Sequence, residues 1–138
     1  MAIDPAARIR PVRTLDTAWW FDGCLEHRLL IQCCTSCGVL RHPPKPMCSR
    51  CRSIRWDTVE SRGTGSLYSY VVVHHPKPPG FEYPHLVGLV ELKEGTRLVG
   101  EVVGIQPTQA KIGMPVELTW LDIDDKLTLP QFRAEGVG

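Results

Sequence analysis

No apolar run in this chain of 138 residues approaches the roughly 20 that a membrane-crossing helix requires, so no such span is expected within it. The opening Met1-Ala2-Ile3-Asp4-Pro5 lacks the basic start and apolar core of a secretory signal, and a reducing, cytoplasmic setting is the expectation. Charge of one sign is missing too: 16 Lys and Arg against 15 Asp and Glu leave a formal net charge of +1. Nucleic-acid binders ordinarily carry a marked basic excess, which counts against that class. Nor does any serine, cysteine or carboxylate stand at a spacing that marks a nucleophile and its base, so no catalytic residue is assigned.

What the chain does hold is a pair of Cys-x-x-Cys motifs, Cys34-Thr35-Ser36-Cys37 and Cys48-Ser49-Arg50-Cys51, ten residues apart. In each pair the two-residue gap lets both sulfurs turn inward from one bend, and Gly38 gives the first bend its backbone freedom. Four soft thiolates in a closed shell suit zinc, with iron of the rubredoxin type as runner-up. Two disulfides or free buried thiols are the bland alternative. The gap is shorter than the usual ribbon range of about 15–20 residues, which predicts a compact ribbon. Because four cysteines leave no open position for water or substrate, the metal is expected to staple the module and not to catalyse. Cys24 and Cys33 are read as ordinary semi-buried thiols. Arg41, His42, Lys45, Arg50, Arg52 and Arg55 make the ribbon cationic, either as a solvated face or as a surface for a phosphate-bearing ligand.

Along the chain, four parts separate: residues 1–26 as an extended arm and short helix, 27–56 as the ribbon, 57–133 as a β domain, and 134–138 as a tail. Mobility is expected from Arg133 onward. Thr14 or Asp16 can cap the helix, whose apolar face includes Ala18, Trp19 and Phe21, and Gly23 is expected to stop it. Trp19 and Trp20 either pack onto the neighbouring module or anchor a partner. His27 to Gln32 then reads as a strand entering the first knuckle. Beyond Ile54 the pattern is all β. The clearest strand runs from Leu67 to Val73, with Leu67, Ser69, Val71 and Val73 on one face. Further strands are expected at 86–92, 97–103, 115–121 and 127–132, with a connection over 105–113 that has room for one helical turn. The fold class is therefore mainly β, with a short N-terminal helix, a rubredoxin-like zinc ribbon and a C-terminal five-stranded OB-type barrel.

The ordered set of Cys34-x-x-Cys37-Gly38, Pro43-Pro44, Cys48-x-x-Cys51 and Gly63-x-Gly65-x-Leu67-x-Ser69-Tyr70-x-Val72-Val73-His74 resembles one family. Pro79-Gly80-Phe81, Ile112-Gly113-Met114-Pro115-Val116 and Leu129-Pro130-x-Phe132 extend the likeness over residues 14–133. It is the family of rubredoxin-like zinc ribbons fused to an acyl-CoA-associated OB-fold. Cys33 departs from its pattern, where a basic or polar residue is expected. The resemblance implies a non-catalytic accessory subunit that binds and activates a thiolase-superfamily partner, either an aldolase or a thiolase. Steroid side-chain degradation is the first choice of setting, and a two-plus-two assembly with the acyl-CoA at or near the interface is implied.

Such a thioester needs cations for its phosphates and backbone groups along its pantetheine arm. The loop from His74 to His85 is the best candidate lining, and His74, His75, Lys77, Phe81 and Tyr83 are its candidate contacts, joined by Trp19, Trp20 and Arg41. The plain alternative is a long loop stiffened by proline. A different function class, a single-stranded nucleic-acid binder, draws on Tyr68, Tyr70 and the cationic ribbon.

Overall fold

The computed structural model describes residues 3–135. Its elements are one α-helix, α1 (Ala18–Leu25), and eight strands. These are β1 (Leu30–Cys34), β2 (Leu40–Arg41), β3 (Trp56–Glu60), β4 (Thr64–Val73), β5 (His85–Leu92), β6 (Arg97–Val103), β7 (Pro115–Asp124) and β8 (Leu127–Ala134). Single 3-10 turns lie at Pro5–Ala7 and Pro107–Gln109, the second within the connection where one helical turn was expected. Among the described residues no helix is long and apolar enough to cross a membrane.

The strands form two sheets. β1 is central in the first, with β2 and β3 antiparallel on either side. The second has the order β4-β5-β6-β8-β7, and β7 also pairs with β4. All its pairings are antiparallel except β6 with β8, which is parallel. Leu67, Val90, Leu98, Val102, Val116 and Phe132 are buried from this sheet, and Leu29 and Ile31 from the ribbon join the same core. Small residues make room for large ones inside it. A Cβ on Gly88 would stand 2.7 Å from Leu67 Cδ1 and 2.9 Å from Val102 Cγ2.

Several expectations change in the structure. α1 is preceded by Thr17, not capped by Thr14 or Asp16, and Thr17 makes no side-chain capping bond. Gly23 lies buried within the helix, where a Cβ would meet Leu30 Cδ1 at 2.9 Å, and the chain turns later at His27, whose φ is +57°. The strand expected from His27 therefore begins at Leu30. The expected boundary at 56/57 falls within β3, which pairs along its length with β1 of the ribbon. A β-bulge between Leu67 and Ser69 reverses the faces of β4. Tyr70 and Val72 consequently pack on the core while Val71 is 59% exposed.

At the far end, β8 takes in Arg133 and Ala134, where mobility was expected, and Ala134 is buried. The rest of the expected tail, 136–138, lies outside the described residues. The N-terminal arm is also held down: Arg10 pairs with Asp124 at 2.9 Å, and Arg8 reaches Glu101 at 3.1 Å.

Candidate functional site

The two knuckles repeat one local geometry. Gly38 N–H donates to the Cys34 carbonyl at 2.8 Å, and Arg52 N–H to the Cys48 carbonyl at 2.9 Å. The residue after each pair is left-handed, Gly38 at φ +78° and Arg52 at φ +64°. Cys34 N–H then returns to the Val39 carbonyl and Cys48 N–H to the Ser53 carbonyl, closing each bend. The Sγ atoms of Cys34, Cys37, Cys48 and Cys51 all fall within 4.8 Å of one another, with Cys34 to Cys51 at 3.5 Å and Cys37 to Cys48 at 3.6 Å. A tetrahedral zinc bonded at ~2.3 Å needs sulfurs about 3.8 Å apart, so the cluster has the size to coordinate a metal ion.

Its electrostatics agree. The Cys37 N–H and, to a lesser degree, the Ser36 N–H are directed at the Cys34 sulfur and bring that thiol down to about 6. The Cys51 and Arg50 N–H groups lower Cys48 in the same way. At Cys37 the Val39 N–H acts downward, but desolvation and the three neighbouring sulfurs prevail and push it up to about 11. Four sulfurs this close cannot all be thiolates without a cation among them. Cys33 stays outside the cluster, its Sγ facing the Cys34 and Gly38 carbonyls at 3.7 and 3.8 Å. Cys24 is fully buried, and burial pushes its thiol up to about 12, which leaves it inert.

The remaining candidates are dispersed. His74, His75 and Lys77 are exposed on the loop between β4 and β5. Phe81 and Tyr83 are half-buried and gather around His85, with ring centroids 4.6 and 6.2 Å from it. Sequence reasoning missed what holds this cluster. The Arg8 guanidinium lies 4.1 Å over the Phe81 ring, donates from Nε to the Gly80 carbonyl at 2.9 Å, and donates from Nη2 to both Glu101 oxygens at 3.1 Å. Gln131 donates to the same carboxylate. His85 Nε2 stands 2.7 Å from Glu101 Oε2 at ion-pair distance, though not aligned as a hydrogen bond. Arg8, Glu101 and His85 are only 12%, 13% and 14% exposed, so this is a sequestered charge cluster. It borders a cleft of about 310 Å³ between the arm and the second sheet. Gly80 is the one local signal for it: at φ +89°, a Cβ there would lie 2.7 Å from Arg8 N.

The adjacent tryptophans part company. Trp19 is half-buried, tilted 43° against Trp56 at 5.1 Å, and its Nε1 donates to the Asp16 carbonyl at 2.7 Å. Trp20 turns inward against the core, 5.9 Å from the His42 ring. Arg41 braces the ribbon: its Nε donates to Gln32 Oε1 at 3.1 Å and its Nη2 to the Lys45 carbonyl at 2.9 Å. Gln32 is 2% exposed and completes the brace by bonding both the N–H and the carbonyl of Lys45.

Comparison with known proteins gives a consistent picture. Residues 21–55 match the domain described as "ChsH2, rubredoxin-like zinc ribbon domain", and residues 58–121 match "ChsH2, C-terminal OB-fold domain". A "probable enoyl-CoA hydratase alpha subunit" of Thermomonospora curvata is 56% identical over 93% of this chain and 40% of its own length. The "3-oxo-4,17-pregnadiene-20-carboxyl-CoA hydratase alpha subunit" of Mycobacterium tuberculosis is 44% identical over 89% of this chain and 39% of its own. The chain thus spans about two fifths of the length of these curated relatives. Among solved structures, a chain of an "Ltp2-ChsH2(DUF35) aldolase" superposes with a TM-score of 0.87. It is 56% identical, over 91% of this chain and 98% of that one.

Proposed function

This chain belongs to the ChsH2 family of rubredoxin-like zinc ribbons joined to an OB-fold domain, and from that membership we propose that it is an accessory subunit of a thiolase-fold aldolase or thiolase. In this reading it does no chemistry of its own. It binds and activates a lipid-transfer-type partner that acts on acyl-CoA thioesters in steroid side-chain degradation. The observation that carries the proposal is the 56% identity, over nearly the whole of both chains, to a component of the aldolase structure. The pregnadiene carboxyl-CoA relative supports the steroid setting.

Zinc is the proposed metal, held by Cys34, Cys37, Cys48 and Cys51, with iron as the alternative for the same ligands. Bound there, it supplies cross-linking and no reactive position. The second sheet, whose pairings return from β7 to β4, supports a closed OB-type barrel. We place the functional division at residues 27–56 for the ribbon and 57–133 for the barrel, the boundary falling within β3, which pairs with β1 of the ribbon. The loop from His74 to His85 is the proposed acyl-CoA contact, with His74, His75 and Lys77 free to meet a ligand and Phe81 and Tyr83 fixing the loop's base. Trp19 and its neighbour Trp56 offer an aromatic anchor for the partner. A two-plus-two heteromer and a cytoplasmic setting complete the proposal. Against nucleic acid, Tyr70 packs on the core, and one face of Tyr68, which is 47% exposed, is taken by Arg97 at 3.7 Å.

The test is reconstitution. The chain is co-expressed with a lipid-transfer-type thiolase-fold protein, and the product is analysed by size exclusion with light scattering. Turnover of a steroid side-chain acyl-CoA is then measured with each component alone and with both. The expected result is a complex of near-equal amounts and activity that needs both chains. A chain that remains apart, or a partner whose turnover is indifferent to it, overturns the proposal.

A further inference from the structure

We propose that the groove between the ribbon and the β5–β6 hairpin is a binding site for a small phosphate-bearing ligand. The groove, about 380 Å³, is bounded on the ribbon side by Leu40 to Pro43, Lys45 and Ser49, and on the hairpin side by Gly95, Thr96 and Arg97. Three cationic residues line it, Arg41, Lys45 and Arg97, and no carboxylate does, Glu91 reaching Arg97 from outside the groove. Each cation is placed differently. Arg41 is fixed along one edge of its guanidinium by Gln32 and the Lys45 carbonyl. Arg97 is fixed by Glu91 at 3.0 Å and by stacking on Tyr68. The Lys45 ammonium makes no ion pair among the described residues.

The second observation concerns hydrogen bonds that are not made. Arg41 Nη1 and Thr96 Oγ1 are both enclosed and have no partner among the described residues, and they belong to opposite walls of the groove. An unmade bond at an enclosed polar group costs ~1–3 kcal/mol, and native proteins rarely leave one. A turn of either side chain toward the groove lets an entering acceptor supply what both lack. Convergent cations with added hydroxyls, from Thr96 and Ser49, match a tetrahedral dianion with many lone pairs better than a planar carboxylate. The limited length of the groove and the chain's net charge of +1 favour a small ligand over a polyanion, which needs an extended basic track. This assignment does not depend on the thiolase reading, since the ligand is defined by its phosphate alone.

The test is a heteronuclear NMR titration of the metal-loaded chain at fixed ionic strength, with inorganic phosphate in one arm and adenosine 3′,5′-bisphosphate in the other. Saturable shifts are expected at the amides of 40–45, 49 and 95–97. Lys45→Ala and Arg97→Gln should each weaken binding about tenfold, the loss of one charge-assisted hydrogen bond. Lys111→Ala, away from the groove, should leave it unchanged. Arg41 is not the variant of choice, because it also braces the ribbon. Tighter binding of the nucleotide makes the ligand a nucleotide phosphate, equal binding makes it the free ion, and either sustains the site. No saturable shift, or equal binding by the Lys45→Ala/Arg97→Gln double variant, overturns it. So does tighter binding of a single-stranded oligonucleotide than of the nucleotide.

Discussion

At Gly80 a single hydrogen in place of a side chain decides whether the N-terminal arm can lie against the loop before β5. The arm passes so close that a Cβ would come within 2.5 Å of Arg8 Cγ, at a φ of +89° that side chains avoid. Gly80→Ala is therefore expected to cost about 2 kcal/mol, seen as a lowered urea midpoint. Faster amide exchange over the arm and the loop should accompany it. Unchanged exchange over the arm would show that Arg8 is held by Glu101 alone. Residue chemistry was legible in the sequence where it is local. The cysteine spacing specifies the sulfur cluster because each knuckle is built within a few residues. The Arg8 cluster was not legible, because its partner Glu101 is 93 positions away and nothing near Arg8 marks it. Likewise, Trp19 and Trp20 cannot be told apart by type, and only the rotation of α1 sends one onto Trp56 and the other onto the core.

Elements are joined by small polar links whose strength depends on pH. The His27 ring stacks on Trp120 at 5.3 Å and bonds Asp122 at 2.7 Å, tying the turn after α1 to β7. This bond, with one from Thr128, holds the Asp122 carboxyl below its usual range, and Arg10 does the same for Asp124. A carboxyl lowered in the folded state contributes stability above its unfolded pKa of about 3.9 and loses it as pH falls through the folded value. Urea midpoints measured from about pH 6 to pH 3 should thus fall more gently for Asp122→Asn than for the parent chain. The ribbon yields a second prediction. Chelation of the metal, or Cys37→Ser, is expected to release amide protection across 34–53 while strands β4 to β8 keep theirs. Undiminished protection in the knuckles would mean that the ribbon stands without its ion. Strand positions were legible from β-branched and aromatic runs, but the faces of β4 were not. A one-residue bulge inverts a period of two, and no residue type announces it.

Across the whole molecule, the two sheets are not separate bodies. Leu29 and Ile31 of the ribbon share one core with Leu67, Val90 and Phe132, and Ser61 N–H donates to the Leu29 carbonyl at the junction. Ile31, 2% exposed, is the direct test of that unity. Ile31→Ala should cost about 2–5 kcal/mol and lower one common unfolding transition for both sheets. A ribbon that melts earlier while the second sheet keeps its midpoint would divide the protein in two. The aromatic contact between helix and ribbon has a consequence of another kind. Trp56 stands opposite Cys34 in the β1–β3 ladder, and its indole lies 5.1 Å from that of Trp19 at a tilt of 43°. Two chromophores so near and so oriented share their excitation, giving a paired positive and negative band in far-ultraviolet circular dichroism. Seating or stripping the ion reaches that pair through a single rung of the ladder, so the chain carries its own optical gauge of ribbon assembly, readable without dye or label.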